Sequence, residues 1–351
     1  MEIFEMMGKY EHEQIAFWSE PKLGYRGIIA IHDTTLGPAL GGTRFWKYES
    51  DQHAIIDALR LSRGMTYKAA VSGLNLGGGK SVIFGDNRVE DREMIFRAHG
   101  RAVESLGGRY ITAEDVGTSP ADMDFVLAET DHVVGIDGRS GDPSPVTAYG
   151  VFVGIRAAVA HRHGSDDLSG KHVAVQGLGN VGRWLCRYLT EEGARLTVTD
   201  IDAERVQRVV DESGATAVAP DDIYGVKADV FAPCALGAVV NDDTLKVLDM
   251  GIIAGAANNQ LALAHHGQAL HDRGVLFAPD YLINAGGLIN VYGELHEWSP
   301  DRSKRKAGEI YGALRRIFQT ADDESVPTAV AADRLAEDRI ARARHLQRSF
   351  V

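Results

Sequence analysis

One stretch constrains the fold of this chain more than any other: HVAVQGLGNVGRWLCRYLTEEGARLTVTDID, residues 172–202. A short apolar run leads into Gly177-x-Gly179-x-x-Gly182, an amphipathic run follows, and a second β-rich run ends at Asp200. The glycine pattern alone is weak, but between a strand and a helix it predicts a βαβ unit that holds a dinucleotide. The first glycine permits the tight turn, the second lets backbone approach a pyrophosphate, and the third lets helix and strand pack closely. Leu178, Asn180 and Val181 complete this turn, where the unpaired N–H groups of the helix start would meet the phosphates. Asp200 is placed to accept both ribose hydroxyls. No basic residue follows it directly in DIDAER, so NAD is expected rather than NADP.

The rest of the chain is organised around this unit. Further strand-like runs, ADVFAPCA, GIIAGAA and GVLFAP, are each separated by enough residues for a helix, which implies a parallel sheet covered by helices. Upstream, GYRGIIAIHDT reads as a strand, and LGPALGGTRFW reads as a turn because its glycines and proline suit neither element's interior. Ser50-Asp51 caps a predicted helix over QHAIIDALRLSRGMTYKAA. SVIFGD is a strand after a glycine run, EMIFRAHGRAVESLGG a helix, and RYITAEDVG a strand entering a polar turn. A Gly, Asp, Ser and Pro-rich loop at 135–150 marks a domain junction, and the last long helix is expected to return to the first domain. The predicted class is α/β with two domains: an N-terminal α/β substrate and oligomerisation domain (1–145 with 327–351) and a Rossmann dinucleotide-binding domain (146–326). The active site is expected in the cleft between them.

A net charge of −12 argues against a general nucleic-acid or anionic-membrane binder, since both require basic surface. Cys186 and Cys234 lie among apolar residues and read as buried free thiols. No Cys-x-x-Cys or His-x-x-x-His pair suggests a metal site, so none is expected. The acidic N-terminus lacks the pattern of a secretion signal, and no apolar run is long enough to span a membrane. A cytoplasmic protein is the simplest expectation.

GLNLGGGKSVIFG, residues 73–85, resembles the end of a nucleotide-phosphate loop. That loop needs Gly, four residues, then Gly-Lys-Ser/Thr and a helix. Here five residues separate Gly73 from Gly79, and a β-run follows Lys80, so the phosphate reading fails. Lys80 and Lys68 then read either as solvated lysines or as a pair in which one is a neutral base and the other an anion clamp. Glu114 and Asp115 supply carboxylates at a strand end. The chemistry alone points to a small anionic substrate beside a nicotinamide.

Taken in order, GPALGGTRFW, DALRLSRGMTYKAAVSGLNLGGGKSVIFGD, GGRYITAEDVGT, DPSPVTAYGV, VQGLGNVG, APCALGA, AGAANNQL and APDYLINAGGLINV resemble the glutamate/leucine/phenylalanine/valine dehydrogenase superfamily. The resemblance implies NAD-dependent, reversible oxidative deamination of an L-amino acid to a 2-oxo acid and ammonia, in a homo-oligomer, commonly an octamer. It implies that Lys68 binds the substrate carboxylate, Lys80 is the catalytic base and Asp115 exchanges protons with the amino group. Gly41 and Gly42 would line the substrate site, with Asn258 and Asn259 between substrate and nicotinamide and Thr147 near the nicotinamide amide. Ile201, Ala235 and Leu236 join the cofactor set. The side-chain pocket would be Leu40, Ala113, Val134, Leu288 and Val291, all apolar, which disfavours glutamate because a second carboxylate needs a polar partner. Ala113 with Leu288 suggests a branched aliphatic substrate, leucine, valine or isoleucine. A phenylalanine or valine specialist stays open, as does a non-catalytic NAD-binding sensor, though both lysines and Asp115 are present.

Overall fold

The computed structural model describes residues 3–136 and 141–348, so part of the expected junction loop lies outside the described residues. The chain divides into two compact units, residues 1–141 with 294–297 and 336–351, and residues 142–293 with 298–335. The division falls at Gly141/Asp142 and at Leu335/Ala336 rather than at 145/146 and 326/327. The second difference has a local cause: Thr328 donates its hydroxyl to the carbonyl of Phe277 at 2.6 Å, which ties the start of the last helix to the second unit.

The first unit contains α1 (Ile3–Tyr10), β1 (Gln14–Glu20), β2 (Tyr25–Asp33), β3 (Ala39–Trp46), α2 (Asp51–Val71), β4 (Gly77–Phe84), α3 (Glu93–Glu104), β5 (Tyr110–Glu114) and α4 (Pro120–Leu127). Its sheet has the order β1-β2-β4-β3-β5. The β1, β2 and β4 pairings are antiparallel, whereas β4, β3 and β5 run parallel. Sequence reading left out α1 and β1. It also took 36–46 as a turn, and the structure makes most of it β3. The glycines there are strand residues kept small by close neighbours: a Cβ on Gly41 would meet the carbonyl of Gly79, and one on Gly42 the carbonyl of Glu114. The glycines before Lys80 likewise lie inside β4. A Cβ on Gly78 would strike the α2 backbone at Thr66 and Ser62, and one on Gly79 the ring of Tyr110.

Both faces of this sheet are covered, which explains the isoleucine run in β2. Ile28 and Ala30 pack with Ala54, Ile55, Ala58 and Leu59 of α2, while Ile29 and Ile31 join Phe45, Phe96 and Val126 on the other face. Ser50 caps α2 by accepting from the N–H of His53, as predicted.

The second unit contains α5 (Ser144–His163), β6 (His172–Gln176), α6 (Asn180–Glu191), β7 (Arg195–Thr199), α7 (Ala203–Ser213), β8 (Thr216–Ala217), β9 (Ala228–Pro233), α8 (Thr244–Val247), β10 (Met250–Ile253), α9 (Ala264–Asp272), β11 (Leu276–Phe277), α10 (Asp280–Ile283), most of α11 (Gly286–Leu295), α12 (Pro300–Gly308) and α13 (Ile310–Glu324). α14 (Thr328–Arg348) begins here and ends in the first unit, where Arg339 donates to the carbonyls of Ala69, Ala70 and Leu74 beyond α2. The sheet is parallel throughout in the order β11-β10-β9-β6-β7-β8. Successive strands build outward from β6 in both directions, and ligands of such sheets bind at the strand carboxyl ends where the order reverses. Among the described residues no helix is long and apolar enough to cross a membrane. Cys186 is buried and Cys234 half-buried, both as free thiols whose pKa burial raises, that of Cys234 to about 12.

Two buried histidines of the first unit make stability depend on pH. Burial, chiefly, holds the pKa of His32 at about 4 and of His99 at about 3. The unfolded chain protonates near 6.5 while the folded one does not, so stability is full above 6.5 and falls as pH drops toward 4. By pH 5.5 each histidine should withdraw about 1.4 kcal/mol. Denaturant titrations at pH 7.5 and 5.5 check this: His99→Gln should be less stable at 7.5 but lose less between the two, and an unchanged slope would refute it.

Candidate functional site

Side chains alternate across a strand, so Leu40, Gly42 and Arg44 of β3 share one face of the sheet with Gly78 and Lys80 of β4 and Ala113 of β5. The register sets Gly42 opposite Ala113, Leu40 opposite Gly78, and Arg44 opposite Val82. α2 lies on this face, and Lys68 is half-buried in its last turn. The backbone of Val134 bonds to Thr112 at 2.9 Å, which places it beside Ala113. Leu40, Ala113 and Val134 are all buried. Gly41 belongs to the opposite alternation, with its carbonyl accepting from the Tyr110 hydroxyl at 2.6 Å.

Lys80, in the middle of β4, is only 5% exposed, and its Nζ donates at 2.6 Å to Oδ2 of Asp115, the residue after β5. Arg44 Nε donates to the same oxygen at 3.0 Å. Burial lowers the pKa of Lys80; Asp115 opposes that shift and the positive charge of Arg44 reinforces it. Burial alone would raise the pKa of Asp115, but Lys80 and Arg44 hold it below the usual carboxylate range. A buried lysine with a depressed pKa next to an ionised carboxylate is a poised proton-transfer pair.

In the second unit, the turn between β6 and α6 has the form the sequence predicts. Gly177 takes a left-handed φ of 95°, and a Cβ there would strike Ala235. A Cβ on Gly182 would meet the carbonyl of Gly177 at 2.0 Å, so this glycine lets the helix close on the turn. At Gly179, the helix cap, the nearest atom to a Cβ would be an Arg205 nitrogen at 4.0 Å, so space beside the backbone is open. Asn180 and Val181 open α6. Asp200 follows β7 and accepts from the N–H of Leu178 at 2.6 Å and of Asp202 at 2.9 Å, which orients its carboxylate over the turn. Ile201 is 93% and Leu236 81% exposed, unusual for large apolar side chains flanking such a turn. Arg205, the basic residue that closes DIDAER, pairs with Asp202.

Comparison with known proteins decides what these two arrangements belong to. Residues 12–132 match the family model for the Glu/Leu/Phe/Val dehydrogenase dimerisation domain, and 138–204 with 197–348 match that for Glutamate/Leucine/Phenylalanine/Valine dehydrogenase. The chain belongs to the Glu/Leu/Phe/Val dehydrogenase family. It is 56% identical to leucine dehydrogenase of Bacillus subtilis over 100% of this chain and 97% of that one, and 55% identical to leucine dehydrogenase of Geobacillus stearothermophilus over 100% and 96%. The crystal structure of L-tryptophan dehydrogenase from Nostoc punctiforme is similar with a TM-score of 0.90, at 47% identity, over 97% of this chain and 99% of that one.

The remaining residues expected at the site of this dehydrogenase lie in the second unit. Leu288 is buried and Val291 half-buried on α11. Thr147 on α5 donates to the carbonyl of Pro143, and its backbone lies where a Cβ on Gly286 would be. Asn258 Oδ1 accepts from Asn284 Nδ2 at 2.7 Å, and Asn259 adopts a left-handed φ of 51°. The sequence reading missed Arg44 and Asp57. Arg44 could have been found from its spacing, two residues past Gly42 on one strand. Asp57 sits mid-helix and gives no signal. Asp242, His265 and His266 bring their ligand atoms within 4.8 Å. His266 Nδ1 accepts from the N–H of Leu263, leaving Nε2 to carry the proton toward Asp242, an arrangement that the start of α9 accounts for.

Gly42 offers a sharp test. A Cβ there would come within 2.8 Å of the Asp115 Cβ, so Gly42→Ala should push Asp115 off Lys80. Dehydrogenase turnover should fall about 100-fold with the fold retained by circular dichroism. Gly64→Ala on α2, where nothing lies within 4 Å, should leave turnover unchanged. Equal rates in the two variants would show that the Asp115 position does not matter.

Proposed function

We propose that this dehydrogenase catalyses the NAD-dependent, reversible oxidative deamination of branched-chain L-amino acids, leucine with valine and isoleucine. The observation that carries the reading is the pairing of buried Lys80 with half-buried Asp115, on a sheet face that also presents the apolar Leu40 and Ala113 with Val134 beside them. The leucine dehydrogenase relatives support it. An aromatic preference is the second reading, favoured by the similarity to L-tryptophan dehydrogenase. The methyl of Ala113, where glycine would leave room for a ring, weighs against it.

The glycine turn fits a dinucleotide: its neighbours exclude a side chain at Gly177 and Gly182 and leave Gly179 open. Asp200 would accept the ribose hydroxyls, which favours NAD, since a 2′-phosphate would meet its charge. The exposed Ile201 and Leu236, with Ala235, would cover the flat rings of the cofactor. A bound nicotinamide supplies the acceptor for the hydride of the substrate Cα. Lys68 holds the substrate carboxylate. Lys80, as the neutral amine, takes a proton from the water that attacks the imino carbon, and its ammonium then stabilises the carbinolamine. Asp115 exchanges protons with the departing amino group. Among the described residues its Oδ1 bears no partner, since both cations share Oδ2. Gly42, on the Lys80 face of β3, would leave room beside the substrate, and Gly41 would meet it only through its backbone. Asn258, Asn259 and Thr147 would hold the nicotinamide end of the cofactor, and the apolar Leu288 and Val291 would serve the substrate side chain. The dimerisation-domain match supports a homo-oligomer, and an octamer is the size we propose.

NADH formation across an amino-acid panel tests the reading: kcat/KM should be highest among leucine, valine and isoleucine. Absence of activity with all three would sink it. Lys80→Ala should cost about 100- to 10,000-fold in kcat with NADH binding intact, and Lys68→Ala should chiefly raise the amino-acid KM. Deamination needs the neutral amine, so its rate should climb with pH through a midpoint below the ordinary lysine value. A flat profile would exclude Lys80 as the base.

A further inference from the structure

The cluster around Lys80 contains one cation without a task in the scheme above. Arg44 reaches Asp115 with Nε at 3.0 Å and Asp57 Oδ2 with a terminal nitrogen at 2.7 Å. Asp57 also accepts from the Tyr48 hydroxyl at 2.7 Å and stands 3.5 Å from Arg60. A planar guanidinium gripped at one edge by α2 presents its other edge in a fixed place. Lys80 and Arg44 therefore share a single oxygen of Asp115. When Lys80 gives up its proton, the carboxylate still has a cation that never deprotonates in the working range. Without Arg44, Asp115 would face a neutral amine alone, free to take up a proton or swing away.

We propose that Arg44, anchored by Asp57, is a positioning residue for this dehydrogenase: it keeps Asp115 charged and in place while Lys80 cycles between ammonium and amine. The proposal rests on Lys80 being the base. The charged groups that act most on the Lys80 amine are Asp115 after β5, Arg44 of β3 and Asp57 of α2; the packed elements also carry Asp51, His53, Arg60, Arg63, Tyr67 and Lys68 on α2, Tyr25, Arg26, Asp33 and the His32 that burial keeps neutral on β2, and Tyr110 and Glu114 on β5. Within this set Arg44 opposes the ammonium form of Lys80, and Asp57, one link further out, favours it. The two residues should therefore act on Lys80 with opposite signs.

Two readouts separate this role from structural support. One is the midpoint for acetylation of the Lys80 amine by acetic anhydride, followed by peptide mass spectrometry. The other is the acid limb of kcat/KM for deamination. Arg44→Gln should move both upward by on the order of one pH unit, and Asp57→Asn should move both downward. Arg44→Lys, which keeps the charge and loses the fork, should return the midpoint toward the unmodified protein while kcat stays depressed. It also serves if Arg44→Gln does not fold. A labelling midpoint that stays put in the Arg44 variants, or moves the same way in Arg44→Gln and Asp57→Asn, overturns the proposal. A midpoint that moves as expected while the acid limb stays supports the action of Arg44 on Lys80 and overturns instead the assignment of Lys80 as the base.

Discussion

A lysine that is 5% exposed cannot keep its charge without a partner, and the first unit is arranged around that requirement. Lys80 sits on β4, the strand with antiparallel β2 on one side and parallel β3 on the other. Desolvation drives its amine toward neutrality and the Asp115 carboxylate pulls it back. Desolvation is the larger of the two, so the amine gives up its proton more readily than an ordinary lysine, as a proton-transfer group must. The balance depends on backbone placement more than on the two side chains. β5 must end one residue before Asp115, and Gly42 must leave room for its Cβ.

The second unit solves a different problem with the same residue. Its glycines keep side chains out of a turn where a helix start offers unpaired N–H groups, whereas the β4 glycines make room for the unit's own elements. The carboxylate of Asp200 holds the turn by accepting from Leu178, so the group expected to meet the ribose also fixes the loop expected to meet the phosphates. One orientation serves both.

The second unit was largely legible because its signals are local: a strand, a glycine turn, a helix and an aspartate in fixed sequence spacing. The first unit was less so. Glycines and a proline in LGPALGGTRFW read as a turn, yet each glycine is there because another strand or helix lies against it, and such contacts have no local signature. Lys80 stood out behind its glycine run and Asp115 at a strand end, but their roles came through family blocks rather than spacing, since 35 residues and two elements, α3 and β5, separate them. Asp57 was illegible for the same reason: its partners Arg44 and Tyr48 come to it from β3 and the loop beyond, and a mid-helix aspartate ordinarily faces water.

Strand alternation also explains why the site tolerates so much charge. The face opposite Lys80 carries an uncharged polar knot in which Thr43 Oγ1 contacts Ser81 Oγ at 2.6 Å, Thr112 Oγ1 at 2.5 Å and His99 Nε2 at 2.9 Å. Tyr110 joins it through Ser81 and also holds the Gly41 carbonyl, and burial raises its pKa to about 12, so it stays a donor. This knot ties β3, β4 and β5 together directly beneath the charged groups. A one-residue slip of β4 would exchange its two faces, burying Lys80 in the knot and turning Ser81 toward α2. Such a slip would leave a buried ammonium without its carboxylate and a set of hydroxyls without each other. The polar layer thus fixes register where the pairing of Lys80 with Asp115 most depends on it, and the small Gly79 is what lets the Tyr110 ring lie across the strand to complete that layer.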